Sequence, residues 1–198
     1  MNESSGASAA STLAEKIAAQ VLELVDRGNT MPIVLIDGRS NSGKSTLAAE
    51  IQNIIFKDGE SAPRVIHMDD LYLGWNGLQE GVDYLQRFIL KPLSDSYIAQ
   101  WREFDWDNPG EPGYESRNGQ WREFQGGTPL IIEGCGALNQ MSAPIANIKV
   151  WLEVPQEIRH QRWLEREGSN EHWAEWAAQE EEFYAREKSH ELSNITAD

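Results

Sequence analysis

The chain has a single cysteine, Cys135, in 198 residues, so no internal disulfide can staple it, and a lone thiol suits a reducing compartment. Basic residues are scarce: 17 Lys and Arg stand against 32 Asp and Glu, for a net charge of −15. That balance excludes the broad basic surface that nucleic acids and anionic membranes reward. No apolar run approaches the roughly 20 residues of a transmembrane helix, and the opening segment lacks the charged start and apolar centre of a secretory signal. These absences predict a cytoplasmic protein with neither nucleic acid nor membrane as partner. The four histidines, His67, His160, His172 and His190, show no metal-ligand spacing. There is no G-x-S-x-G nucleophile motif and no basic, aromatic RNA-binding signature.

What is present is the octapeptide GRSNSGKS at 38–45, a full match to G-x-x-x-x-G-K-[ST], preceded by the apolar run IVLI at 33–36. A nucleoside triphosphate brings several negative charges, and backbone N–H groups at a helix N-terminus are suited to receive them. Gly38 and Gly43 let the backbone curl that closely, while Arg39, Ser40, Asn41 and Ser42 supply the N–H groups between them. Lys44 is expected on the outer phosphates and the Ser45 hydroxyl on a Mg²⁺ ion, with Thr46 opening the next turn. Leu47, Ala48, Ile51, Ile54 and Ile55 give that segment an apolar helical face. Strand, loop and helix are therefore all in place. A plain Gly/Ser turn would need neither Lys44 nor Ser45.

The length suits one α/β domain. Residues 1–11 are small and polar and read as a disordered tail ahead of a single domain at 12–198. Leu13, Ile17, Val21, Leu24 and Val25 mark a first helix ending near Gly28, with Ser11 or Thr12 as N-cap. Strands are expected at 64–68, 128–133 and 148–154, and helices around 84–93, 156–167 and 171–192. Strands alternating with helices indicate a doubly wound, mainly parallel sheet in a three-layer α/β/α sandwich, the P-loop NTPase fold. Residues 94–127 have no sustained period and read as an insertion. There QWREF occurs at 100–104 and again at 120–124, which could form two arms of a hairpin; five residues are too short for a structural repeat, and coincidence is the preferred reading. Eight tryptophans, Trp101, Trp106, Trp121, Trp163, Trp173 and Trp176 among them, read first as core and lid anchors and second as a stacking or partner surface.

Sites in such sheets lie beyond the carboxyl ends of the strands, which brings the phosphate loop, Asp69, Asp70 and Glu133 to one rim. Carboxylates there suit metal-assisted phosphoryl transfer. Asp69 or Asp70 would orient the attacking oxygen, only one of the two being expected to face the site because neighbours in a strand point to opposite faces, and Glu133 would hold Mg²⁺ directly or through water. Arg159, Arg162 and Arg166 share a helix face and suit a triphosphate, although Glu157, Glu165 and Glu167 offer them ordinary surface pairing.

Three motifs in order, GRSNSGKST, HMDDLY at 67–72 and LIIEGCGAL at 130–138, make the chain similar to the uridine kinase family of P-loop kinases, relatives of phosphoribulokinase and pantothenate kinase. The resemblance implies that Asp69 is the catalytic base and Tyr72 a substrate-side tyrosine. It places Ser45, Asp69 and Glu133 around Mg²⁺, and Arg159, Arg162 and Arg166 as arginines of a lid at 156–171. Asp83 falls near an aspartate that binds sugar hydroxyls, and Asp105 and Trp106 in a segment lining a nucleoside pocket. The chain ends about where such folds begin a last strand that helps frame the adenine, so that strand is expected to be missing or the base held otherwise. The function implied is an ATP- and Mg²⁺-dependent phosphotransferase acting on a hydroxyl, with a nucleoside-like acceptor. The alternatives are another hydroxyl metabolite as acceptor, or a non-catalytic ATP-binding regulatory or partner-binding protein. Self-association as a homo-oligomer stays open.

Overall fold

A computed structural model of the chain describes residues 4–59, 61–109 and 117–198, with side chains from residue 13 onward. Five parallel strands form the central sheet: β1 (Ile33–Asp37), β2 (Arg64–His67), β5 (Leu130–Glu133), β6 (Ile148–Leu152) and β7 (Ile195–Ala197), in the order β2-β5-β1-β6-β7. Successive side chains of a strand point to opposite faces, and β1 divides its residues accordingly. Val34 and Ile36 pack with α1 (Ser4–Asp26) and α2 (Lys44–Lys57) through Ile17, Val21, Leu47 and Ile51. Ile33 and Leu35 join a second core with α3 (Leu78–Leu85), α5 (Gln156–Glu167) and α6 (Trp173–Glu187) through Leu85, Trp163, Trp176 and Phe183. The sheet is thus apolar on both faces, as a parallel sheet between two helical layers must be. The helical run of α3 continues through a π turn at Gln86–Leu90 into α4 (Lys91–Ser94).

Four local departures from the sequence-based expectation have physical causes. The helix α1 begins at Ser4, ahead of the cap expected at Ser11 or Thr12 and within the stretch expected to be disordered; Ala7, Ala9 and Ala10 are the best helix formers and extend a packed helix at little cost. The strand carrying Asp69 stops at His67, and Met68–Asp70 form a 3₁₀ turn. The final helix is broken at Lys188, which takes a left-handed conformation (φ 53°), followed by the short α7 (Ser189–Leu192). The last strand is present: β7 pairs with β6, Val150 opposite Ile195.

The two QWREF copies pair with each other. Strands β3 (Ala99–Arg102) and β4 (Trp121–Phe124) run antiparallel, with Trp101 opposite Arg122 and Arg102 opposite Trp121. Directly opposed residues share a face, so the same tryptophan points inward in one copy and outward in the other: Trp101 is 3 % exposed and Trp121 70 %. Residues 110–116 of the insertion lie outside the described residues.

Candidate active site

The phosphate loop leaves β1 at Asp37 and enters α2 at Lys44. Gly38 adopts φ 146°, and a Cβ there would sit 2.5 Å from the Leu152 carbonyl oxygen, so the tight exit from the strand requires glycine. Gly43 caps α2 in the left-handed region, φ 96°. Lys44 is buried, and its ammonium donates to the Arg39 carbonyl oxygen at 2.9 Å. Burial pushes the Lys44 pKa down, but the acidic groups around it, Cys135, Glu133, Asp37 and Glu180, outweigh burial and hold it above the ordinary lysine value. The ammonium is therefore charged and faces the loop, the condition for receiving an anion.

Behind the loop lies a buried polar network. Asp37 is fully buried and accepts from the N–H groups of Gly38 (2.7 Å), Gly136 (3.2 Å) and Leu138 (2.8 Å) and from the Tyr184 hydroxyl (2.7 Å). Desolvation raises its pKa to about 6, against the opposing pull of those hydrogen bonds and of Lys44. Glu180, 1 % exposed, accepts from the Ser40 N–H at 2.6 Å and the Trp176 indole at 3.0 Å. Arg39 and Arg159 flank its other oxygen at 3.9 and 3.8 Å. The helix α6 is thereby bonded directly to the loop, at Ser40 through Glu180 and at Gly38 through Tyr184.

At the ends of β2 and β5 the acids converge. The Ser45 hydroxyl donates to Glu133 Oε1 at 2.9 Å, and His67 Nδ1 meets the same oxygen. Asp69 opens onto the cavity yet is surrounded by protein; desolvation, then the charge of Glu133, raise its pKa, with Lys44 and Arg166 opposing. Desolvation and then Glu103 raise the Asp70 pKa to about 6. Because both aspartates sit in a 3₁₀ turn and not in a strand, both line the cavity, contrary to the expectation that one would face away. Among the described residues no group of three or more His, Cys, Asp and Glu side chains is gathered as for a metal. The donor set of Ser45, Glu133 and Asp69 is the sparse, all-oxygen kind that fits a Mg²⁺ retaining most of its water.

A cavity of about 1080 Å³ joins these parts; the loop from Ser40 to Thr46, Asp69, Asp70, Glu133, Tyr72 and Trp106 all contribute to its wall. Arg162 and Arg166 also reach it, Arg162 donating to the Asn41 carbonyl oxygen at 3.0 Å. Three expected site residues stand elsewhere. Arg159 is buried against Glu180, with its Nε donating to the Val154 carbonyl oxygen, because it begins the helix face where α5 packs on α6. Asp83 is exposed on α3 and accepts from Gln79, four residues earlier on the same outer face. Asp105 folds back on its own loop, accepting from the N–H groups of Asp107 and Asn108 as an Asx turn. Gly38 and Arg39 shape the loop without forming the cavity wall, Arg39 pairing with Glu181 at 2.7 Å.

Sequence reasoning passed over Asp37, Glu180 and Tyr184. Asp37 ends a buried strand just as Glu133 does, a signal that was legible. Glu180 lies four residues from both Trp176 and Tyr184, which places it on the aromatic face of α6; its neighbours Glu181 and Glu182 disguise it.

Neither a protein-family model nor a curated protein sequence matches the chain. Solved structures do. A possible uridine kinase from Bacillus stearothermophilus superposes with a TM-score of 0.65 at 20 % identity, covering 93 % of this chain and 97 % of that one. A candidate fructose transport system kinase from Silicibacter sp. TM1040 gives 0.60 at 21 % identity, covering 91 % and 98 %. With its parallel sheet between two helical layers and its glycine loop leading into α2, the chain has the three-layer α/β/α P-loop NTPase fold that these solved structures share.

Proposed function

We propose that the protein is an ATP-dependent, Mg²⁺-assisted small-molecule kinase that transfers the γ-phosphoryl group of ATP to an acceptor hydroxyl. The observation that carries this reading is that one cavity joins the phosphate loop, the Ser45–Glu133 pair, Asp69 and the side chains of Arg162 and Arg166. Asp69 lies on the same cavity wall as the phosphate loop, where an acceptor hydroxyl would meet the γ-phosphoryl group.

Each group has a chemical task in this reading. The N–H groups at the start of α2 and the Lys44 ammonium bind the phosphates and balance the charge that spreads over the transferring group. Ser45 and Glu133, with Asp69, would hold Mg²⁺, which would supply charge neutralisation to the phosphates. Asp69 orients the acceptor hydroxyl and takes its proton. Arg162 and Arg166, on the helix that borders the loop, add positive charge and help exclude water. The two solved kinases of like fold bear names that refer to different compounds, uridine and fructose, so the fold leaves the acceptor open.

The test is ADP release with and without a panel of nucleosides, sugars and other hydroxyl metabolites, run on the wild type and on Asp69→Asn. Acceptor-stimulated ADP formation that disappears in the variant supports the reading. Tight ATP binding without stimulated turnover across the panel would point to a nucleotide-binding module, and equal acceptor-independent turnover in both proteins would remove Asp69 from its role.

A further inference from the structure

The part of the cavity next to Asp69 is walled by aromatic rings, four of which have their polar ends already used. Trp106 donates its indole N–H to the Asp69 carbonyl oxygen at 2.9 Å, Trp163 to Ser169 at 3.1 Å, Trp176 to Glu180 at 3.0 Å, and the Tyr72 hydroxyl donates to Cys135 at 2.8 Å. Trp75 joins them, its ring centroid 5.0 Å from that of Trp106, 5.4 Å from Trp163 and 6.3 Å from Trp176. Trp163 and Trp176 are buried and His172 stacks on one face of Trp75 at 4.7 Å, so the ring area left for a ligand lies on the rest of half-buried Trp75 and on Trp106, 37 % exposed. What these rings offer is the negative face of a π system.

The polar side chains on this part of the wall point the same way. Asn41, in the phosphate loop, is the only amide side chain among the described wall residues. The charged groups beyond the loop are six acids, Glu50, Asp69, Asp70, Glu133, Glu167 and Asp198, against Arg162 and Arg166. Arg166 is paired with Glu167 at 2.7 Å, Arg162 is turned onto the loop at Asn41, and Glu133 is engaged by Ser45. Acids outnumber arginines on this wall, and with Asp69 given to the reacting hydroxyl, Asp70 is the carboxylate beside it that is left to face a ligand. An uncharged heterocycle read by hydrogen bonds would need neutral donors and acceptors aimed into the chamber. Rings and a carboxylate suit a ligand that is flat or bulky, positively charged and poor in N–H groups. The cluster already accommodates one cation in this manner: the Arg166 guanidinium stands over Trp163 at 5.6 Å.

We propose, on the basis of the kinase reading above, that the acceptor is a hydroxyl-bearing organic cation, an alcohol whose positive charge sits on an aromatic or quaternary nitrogen, seated against Trp75 and Trp106 with Asp70 as its counter-charge. In the reaction the acceptor oxygen forms a bond to the γ-phosphorus, and the bond from that phosphorus to the β–γ bridging oxygen breaks. ADP leaves with the electron pair, and the hydroxyl proton passes to Asp69.

The decisive experiment is calorimetric titration of the full chain, loaded with Mg²⁺ and a non-hydrolysable ATP analogue, against paired isosteres. The pairs are 1-(2-hydroxyethyl)pyridinium with 2-phenylethanol, and choline with 3,3-dimethylbutan-1-ol; uridine is the uncharged heterocyclic control. At least one cation is expected to bind tenfold or more tightly than its neutral partner. Which pair shows it distinguishes a planar from a quaternary cation. Asp70→Asn should cut that preference threefold or more, and Trp106→Leu does so independently should the first variant fold poorly. Equal binding of cation and isostere in both pairs, or uridine binding more tightly than either cation, overturns the proposal. ADP release with the same compounds separates the two readings: a cation preference without turnover leaves the cation site standing and removes the kinase, whereas turnover of uridine without cation preference does the reverse.

Discussion

At the phosphate end of the cavity the ligand-facing groups come from backbone: a strand, six loop residues and a helix start, with Lys44 and Ser45 as the side chains that matter most. At the other end they come from side chains, rings drawn from the loop after β2, the exit of β3, α5 and α6. The first kind of site has a fixed spacing along the chain, because successive N–H groups must curl around one anion. The second has none, because any segment that passes nearby can contribute a ring. The two ends therefore differ in how tightly the sequence is bound to the function, and each can be perturbed separately.

The largest expected effect lies where the ends meet. Asp69→Asn leaves shape intact and removes the proton acceptor, so acceptor-dependent turnover should fall by roughly 10²- to 10⁴-fold. Nucleotide affinity measured without Mg²⁺ should change by less than about tenfold, since the loop is untouched. A loss of nucleotide binding as large as the loss of turnover would mean that the two ends are one structural unit.

The next contrast tests what supports the acceptor side. The paired QWREF copies place one tryptophan in the core and its twin in solvent. Trp101→Ala should cost about 3–5 kcal/mol of stability in chemical denaturation, and Trp121→Ala should stay within about 0.5 kcal/mol. Similar values for the two would contradict the register of the hairpin.

Behind the phosphate end, Asp37 carries a pKa of about 6 against an ordinary value of 3.8. The folded pKa lies above the unfolded one, so the folded state holds the proton more tightly. Stability from this group is fully present below about pH 4 and is lost as pH rises to about 6. Relative to Asp37→Asn, the wild type should therefore lose up to about 3 kcal/mol across that window, a shift of about two pH units at 1.36 kcal/mol each. Denaturation curves for both proteins between pH 4 and 7 measure this; parallel pH profiles would mean that Asp37 is not desolvated.

Much of this was legible in the sequence, and what was not follows from the same distinction. The IVLI run, the loop and the α2 stripe all lie within 33–55, so local pattern was enough to find them. Glu133 could be placed at the rim because a strand end is a place with a known orientation. Which of Asp69 and Asp70 faces the cavity was left open by the strand period, and both do, because neighbours in the 3₁₀ segment do not alternate. The break at Lys188 has no glycine to announce it, and β7 is three residues long, too short for periodicity to register. The hairpin was suggested by its repeat and set aside as coincidence, since identity of sequence carries no information about pairing. Arg159 shares a helical face with Arg162 and Arg166 by spacing, but spacing says nothing of which neighbour covers the first turn.

That last difference yields the smallest effect. Arg166 is about half exposed, pairs with the adjacent Glu167 and stands over the Trp163 ring, so removing it opens no core and strands no buried charge. In the kinase reading it contributes charge only while the phosphoryl group is in transit, through a contact that solvent partly screens. Arg166→Met should lower turnover about tenfold, about 1.4 kcal/mol in the barrier, with the melting temperature unchanged and the KM for ATP within a few-fold. An equal rise in KM with unchanged turnover would instead make Arg166 a ground-state nucleotide ligand belonging wholly to the phosphate end. No change in either would leave it as the cation that covers Trp163, a residue of the acceptor wall alone.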